Sequence, residues 1–281
     1  MNDFDFSLIF CTIHRTDEPA DFLKSLASQG NSFRIQLIVV DQNSDNRLDE
    51  ILAPYHELFH IEHLHCKPGL SKARNAGLEK AAGKIVAFPD DDCTYPPDLL
   101  KNVSSAFRKN LQHGCISGVV MDHTGKKLLS RMKNHSCEIN RKNVWRGGMS
   151  TAIFVRNSAI GELRFDEALG VGSGTIFGSG EETDFLLNLL EKDVRILYTP
   201  GIIVHHPLFL GPWKTDRAWR YGCGFGYVLK KHGDGFPAVC FYAGLQLVRA
   251  AQAFFTLKWR KMLFHIVMAA GRMRGFFAEK S

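Results

Sequence analysis

The stretch "KIVAFPDDDCTYPPDLL" (84–100) runs an apolar strand straight into three consecutive carboxylates. Asp90, Asp91 and Asp92 repel one another and gain nothing from burial, so their place at the end of a core strand marks a rim where a ligand gathers. Beyond them, Pro97 suits the first turn of a helix that continues to about residue 110. Working back, "SKARNAGLEKAAG" (71–83) reads as an Ala-rich helix capped by Ser71 and stopped by Gly83. "FHIEHLH" (59–65) alternates like a strand, "RLDEILAPYHEL" (47–58) is helical, and "RIQLIVVD" (34–41) is a strand. "TDEPADFLKSLASQG" (16–30) reads as a helix capped by Thr16 or Asp17, after the strand "SLIFCT" (7–12). Repeated β-α units of this length predict an α/β fold with a mostly parallel sheet and helices on both faces. Ligands gather at the carboxyl ends of such strands, which is where Thr12, Asp41 and the Asp90–Asp92 run fall. The first turn, "TIHRTDEP", has neither a GxGxxG fingerprint nor a P-loop, which disfavours a dinucleotide dehydrogenase or a Walker ATPase.

The chain of 281 residues can bury a full core, and 45% hydrophobic with 23% charged residues is ordinary globular composition. Seven cysteines are scattered singly without a CxxC pair, so they indicate neither a zinc site nor a disulfide framework, and a reducing compartment is expected. The start "MNDFDFSLIFC" has acids before a short apolar run, unlike a secretory signal. From Lys214 onward, twelve Lys/Arg against three Asp/Glu leave +9, compared with +6 for the whole chain. A basic tail on an acidic body points to different partners for the two parts.

Carboxylates at a strand end suit a hard divalent cation, Mg²⁺ or Mn²⁺, which takes phosphate oxygens as its remaining ligands. The bland alternative is a solvated acidic turn leading into the next helix. The surroundings favour the first reading. "GLSKARNAGLEKAAGKIVAFPDDDCTYPPDLL" resembles the core of family 2 glycosyltransferases of the GT-A fold, whose pattern runs GxxxARNxG, AxGxIVxFxDDD and a proline before Leu-Leu. "TIHRTDEPADFLKSLASQ" and "LIVVDQNSDN" are similar to the family's first two strand ends. "WRGGMSTAIFVRNSAIGELRFDEALG" and "FGSGEETDFLLNLLEKDVRILYTPGIIVHHP" are similar to its acceptor-side half. The resemblance spans roughly residues 6–210, in order.

It implies a Rossmann-like nucleotide-binding half (about 1–120), an acceptor half (about 121–213) and a helical C-terminal extension (214–281). It implies an inverting, metal-dependent hexosyltransferase moving a sugar from a nucleotide-diphospho-sugar, UDP-linked, to a glycan or lipid-linked saccharide. By position, Asp92 would bind Mn²⁺ or Mg²⁺, with Asp90 and Asp91 on the donor; Thr12, Asp41 and Arg74 would also hold the donor. Glu182 falls at the catalytic base, and Glu181, Asp184, Gly147 and Gly148 on the acceptor side. His205 or His206 would complete the metal site, and the sequence does not choose between them. Two departures stand out: Gln42 follows Asp41 where many members carry a second acid, and "GEE" replaces "GED". Ser179 to Glu182 also fits a helix capping box, a competing role for Glu182. A sugar nucleotidyltransferase and an inactive nucleotide-sugar-binding protein are the alternatives. The first would be expected to carry a basic glycine-rich loop after its first strand.

"GPWKTDRAWRYGCGFGY" (211–227) mixes aromatic, glycine and basic residues and is expected to act as a lid. In the tail, "FPAVCFYAGLQLV" and "MLFHIVMAA" each fall short of the roughly twenty residues needed to span a bilayer. With Arg249, Lys258, Arg260, Lys261, Arg272 and Arg274 beside Phe and Trp, the tail is expected to lie on an anionic membrane surface; a helical subdomain packed on the body is the alternative. No nucleic-acid-binding module accompanies the charge. The expected location is cytoplasmic, peripheral at the inner membrane face.

Overall fold

The computed structural model describes residues 4–127, 134–207 and 212–279. Compactness divides the chain into two units. One takes in the chain up to Pro68, Lys72–Arg164 and the segment from Phe185 through the last strand; the other takes in Gly69–Ser71, Phe165–Asp184 and the C-terminal helices. Residues 165–184, which the sequence places with the acceptor half, therefore group with the tail.

Among the described residues, the first unit holds every strand of one eight-stranded sheet. Its first four strands, β1 (Phe4–Thr12), β2 (Ile35–Asp41), β3 (His60–His65) and β4 (Gly83–Ala87), lie within a residue or three of the expected runs. The later strands are β5 (His113–Met121), β6 (Cys137–Ile139), β7 (Ile153–Arg156) and β8 (Arg195–His205). The order is β3-β2-β1-β4-β7-β5-β8-β6. β3-β2-β1-β4 is parallel throughout, and β7 enters antiparallel between β4 and β5. All seven residues of β2 are buried, as a central strand covered on both faces requires.

Helices α1 (Asp17–Ala27), α2 (Asp49–Leu52), α3 (Leu70–Leu78) and α4 (Leu99–Lys109) complete the β-α repeats. Phe6, Leu8 and Phe10 of β1 share one core with Phe22 and Leu23 of α1 and with Leu99, Val103 and Phe107 of α4. The Phe10 and Phe22 rings stack at 4.7 Å, and each such buried side chain is worth about 1.5–3 kcal/mol. The opposite face of β1 meets α3, whose Gly77 lies against Ile9 so closely that a Cβ there would stand 2.4 Å from Ile9 Cγ2. Two details depart from the sequence reading. α2 is only one turn long and gives way to a 3-10 turn at Ala53–Tyr55, since Pro54 cannot continue an α-helix. α4 begins after Pro97, at Leu99, with Asp98 left-handed at φ 63°.

After the short helix α5 (Asn157–Ile160), α6 (Glu181–Glu191) follows a loop, and α7 (Thr215–Lys231), α8 (Phe236–Phe255) and α9 (Trp259–Phe277) form the tail. The segment expected as a lid is instead mostly α7, and its glycines make a packing seam. A Cβ at Gly226 would stand 2.0 Å from the Arg272 carbonyl oxygen, and one at Gly224 2.1 Å from that of Ser179. Arg272 is a second correction. It is buried, donates to the Tyr242 carbonyl at 2.5 Å and covers the Phe225 ring at 4.1 Å, so it holds the helices together rather than facing outward. The apolar stretch beginning at Phe236 runs on through "RAAQAFF" as a single helix of 20 residues, long and apolar enough by length and composition to cross a membrane.

Candidate active site

In the first unit, strand pairing builds the rim the sequence predicts. Thr12 pairs with Asp41 and Asp41 with His65, while Cys11 bridges to Asp90. Thr94 and His205 exchange backbone hydrogen bonds of 2.8 and 3.0 Å, which carries the end of β8 up to the acidic run. Successive side chains then diverge. His205 stacks on His123 at 4.9 Å with its Nδ1 3.3 Å from the Asp122 carbonyl. His206 Nε2 lies 2.9 Å from Asp92 Oδ1 and 3.9 Å from Asp90 Oδ2. Asp90, Asp92 and His206 each present one donor atom, all within 4.8 Å of one another. One nitrogen and two carboxylate oxygens at that spacing fit a divalent cation, and of the two histidines it is His206 that joins them.

The remaining oxygens of the acidic run have dedicated partners. Thr12 Oγ1 donates to Asp91 Oδ2 at 2.8 Å. Arg15 Nη1 reaches Asp91 Oδ1 at 2.6 Å and Asp92 Oδ2 at 2.8 Å. Arg74, 2% exposed, donates from Nη2 to Asp90 Oδ1 at 3.1 Å and to Ser150 Oγ at 2.9 Å. Asp91 and Asp92 thus titrate apart. Burial, only partly offset by Thr12 and Arg15, pushes Asp91 up to about 6. Burial pushes Asp92 up as well, but the hydrogen bond and charge of His206, with Arg15, outweigh it and hold Asp92 at about 2. His206 is lowered by burial and raised more by Asp92, for a net rise. Arg15 and Ser150 are the residues that sequence reading missed at this rim. Arg15 sits in a turn whose geometry depends on left-handed His14, at φ 63°.

Asp41 is fully buried. Its Oδ1 accepts from the Asn43 backbone N–H at 2.8 Å and from the Asn43 side-chain amide at 2.7 Å, while Oδ2 faces His63 Nε2 at 3.2 Å. Gly147 ends a 3-10 turn. Gly148 has φ +100°, and a Cβ there would stand 2.3 Å from Leu186 Cδ1, so a packing demand requires this glycine.

In the second unit, α6 starts after Gly180, whose carbonyl accepts from the Asp184 N–H at 2.8 Å. Gly180, at φ +97°, is therefore the cap. Ser179 and Glu182 fall one position out of capping-box register, and the Ser179 hydroxyl donates to the Tyr221 carbonyl at 3.2 Å. Glu181 is buried, Glu182 half-buried. Asp184, expected on the acceptor side, is fully buried. Its Oδ1 lies 2.8 Å from Lys231 Nζ and 2.9 Å from His232 Nε2. Lys231 also holds Asp166 at 2.9 Å. Asp184 thus ties α6 to the end of α7 and is not open to a substrate hydroxyl.

Residues 7–163 match the family model described as glycosyl transferase family 2. The chain is 30% identical over 241 residues to the succinoglycan biosynthesis protein ExoM of Rhizobium meliloti (strain 1021), covering 80% of this chain and 75% of that protein. Two solved structures share the fold. S. aureus TarS 1-349 in complex with UDP-GlcNAc has a TM-score of 0.60 at 14% identity, covering 96% of this chain and 91% of that one. The mannosyltransferase PcManGT from Pyrobaculum calidifontis, in complex with GDP-Man and Mn²⁺, has a TM-score of 0.63 at 14% identity, covering 98% and 87%.

Proposed function

Because this chain belongs to glycosyl transferase family 2, we propose that it moves a sugar, with inversion, from a UDP-linked sugar to a hydroxyl of a glycan or lipid-linked saccharide under assembly. Family membership makes the chain a glycosyltransferase of GT-A fold and sets aside the nucleotidyltransferase alternative. The observation that carries the finer reading is the convergence of Asp90, Asp92 and His206. These three residues would hold Mn²⁺ or Mg²⁺, and the cation supplies Lewis-acid neutralisation of the leaving diphosphate.

The chain's own residues do the rest. Arg74 fixes the Asp90 carboxylate through Oδ1, with Oδ2 on the side of His206 where the cation would sit. Asp41 accepts from the nucleobase, with Asn43 locking its orientation. Thr12 and Arg15 position Asp91 and Asp92, Arg15 through the Asp92 oxygen turned away from His206; His206 must release its proton for a cation to enter. Glu182, half-buried in the first turn of α6, takes the proton of the acceptor hydroxyl as that oxygen bonds the anomeric carbon. The bond from that carbon to the diphosphate breaks, and the diphosphate leaves with the electron pair. Glu181 holds the acceptor.

The tail supports docking on an anionic membrane surface. Phe254, Phe255, Leu257, Trp259 and Leu263 are 46–81% exposed around the turn between α8 and α9, and Lys258, Arg260 and Lys261 stand among them. Isolated exposed apolar side chains are ordinary; a contiguous group flanked by cations is a mark of interfacial binding. The acceptor would then be presented at the cytoplasmic face.

The test is a screen of nucleotide-sugars by thermal shift, with and without Mn²⁺, since ligands of the folded state raise its apparent stability. A UDP-sugar should stabilise the protein, and more so with Mn²⁺. No stabilisation by any nucleotide-sugar, with Mn²⁺ present, would overturn the reading.

A further inference from the structure

A second group of metal-type donors lies at the sheet edge, apart from the acidic run. β3 is the edge strand, and among the described residues one of its sides has no sheet neighbour. His63 and His65, two residues apart on it, project from the same face. Parallel register sets His65 directly beside Asp41 and His63 beside Val39. Asp41 Oδ2 is consequently 3.2 Å from His63 Nε2 and 4.0 Å from His65 Nδ1. One donor atom from each of the three side chains falls within 4.8 Å of the other two.

We propose that Asp41, His63 and His65 bind a borderline-soft divalent cation of the Zn²⁺ type, and that this cation excludes the nucleobase. Two imidazoles and a carboxylate are a donor set suited to Zn²⁺ or Co²⁺, whereas Mg²⁺ prefers oxygens. Bonds of about 2.0–2.2 Å to each donor place tetrahedral neighbours a little over 3 Å apart. The Asp41–His63 separation already has that value, and His65, half exposed, needs only a small side-chain rotation. The outer groups are arranged for ligation. Asn43 occupies Asp41 Oδ1 with two hydrogen bonds, which leaves Oδ2 as a single oriented ligand. Asp49 Oδ1 stands 3.7 Å from His63 Nδ1, behind the ring nitrogen that faces Asp41. That is beyond hydrogen-bond reach, but a small rotation of the exposed Asp49 side chain would bring it to the Nδ1–H, the contact by which a carboxylate sets a metal-binding histidine's tautomer. The fourth position opens toward solvent beside the exposed His65.

The exclusion of the nucleobase rests on the reading of Asp41 as its contact. Both cannot use Oδ2 at once. Free Zn²⁺ would then compete with the donor nucleotide, while Mn²⁺ at Asp90, Asp92 and His206 would assist it.

The experiment uses the full chain carrying His206→Ala, which removes one donor of the other cluster. Co²⁺ and Zn²⁺ are titrated, Co²⁺ by its visible absorption and Zn²⁺ by calorimetry. One equivalent should bind with a tetrahedral Co²⁺ spectrum. Adding His63→Gln or His65→Gln should weaken it by about 100-fold or more, since loss of even an outer-shell partner costs about 10–100-fold. Asp49→Asn should weaken it by about 10-fold. Thermal melting in EDTA checks that the variants are folded. Zn²⁺ affinity unchanged by both histidine substitutions overturns the site, and leaves the nucleobase reading of Asp41 standing if those variants bind UDP as before. Zn²⁺ bound through the histidines but indifferent to saturating UDP overturns the exclusion, together with the nucleobase reading of Asp41.

Discussion

Asp184→Asn separates a structural tie from a substrate contact. The substitution keeps the shape of a fully buried side chain and removes its charge. It leaves Lys231 with Asp166 as its remaining carboxylate at 2.9 Å, and leaves His232 facing an amide. Removing one partner of a buried ion pair costs about 3–5 kcal/mol. The Lys231 side chain is 29% exposed and keeps Asp166, so the lower end applies, about 3 kcal/mol, or roughly a 100-fold shift in the folding equilibrium. For a chain of this size that is a fall in Tm of about 6–12 °C. Urea unfolding of the full chain followed by far-UV circular dichroism reads it. A cycle with Lys231→Met should show the double variant falling short of the summed single effects by about 0.5–3 kcal/mol, because the two groups share one network. A variant within about 0.5 kcal/mol of the parent that nevertheless loses sugar transfer would refute the reasoning and return Asp184 to the acceptor.

Three further outcomes follow from the geometry. His206→Ala should abolish the Mn²⁺ enhancement of UDP binding measured by calorimetry, while His205→Ala leaves it intact; the reverse result would misplace the metal. Asp91 should titrate near 6, above its unfolded value of 3.8. Its protonated form is favoured by the fold, so that contribution to stability is complete below 3.8 and is lost as pH rises through about 6. Carboxyl NMR would show the titration, and a midpoint near 4 would contradict the burial argument. Reversing Lys258, Arg260 and Lys261 to Glu should release the protein from anionic vesicles, most clearly at low salt. Phe255→Ser with Trp259→Ser should weaken binding at any salt, and unchanged binding by either variant would remove the interfacial role.

Much of this was legible along the chain because it is local. The runs ending at Thr12, Asp41 and Asp90 read as strands from their apolar content, and parallel pairing brings their ends to one rim. The choice between His205 and His206 was not legible. It depends on backbone bonds between Thr94 and His205, 111 positions apart in the numbering, and no local pattern fixes which imidazole faces inward. Asp184 read as a helix-start acid open to substrate because its partners, Lys231 and His232, arrive from a helix 47 and 48 residues away. The glycines of "YGCGFG" suggested mobility, whereas close approach to Arg272 and Ser179 is what requires them. Arg272 counted as a surface charge only until α9 packed against α7 and α8. The capping-box alternative for Glu182 failed by a single residue of register, a shift too fine for sequence spacing to resolve.

The central claim is that Glu182 accepts the proton while the acidic rim holds the donor, and Glu182→Gln tests it most directly. Turnover with the UDP-sugar that the nucleotide-sugar screen selects, and UDP affinity with Mn²⁺, are measured on the same preparation. Gln keeps the size and shape of the side chain but takes no proton at neutral pH, so turnover should fall by about 10²–10⁴ with UDP affinity unchanged. A Gln variant that transfers sugar at the parental rate would contradict the account and leave Glu181 as the base to examine.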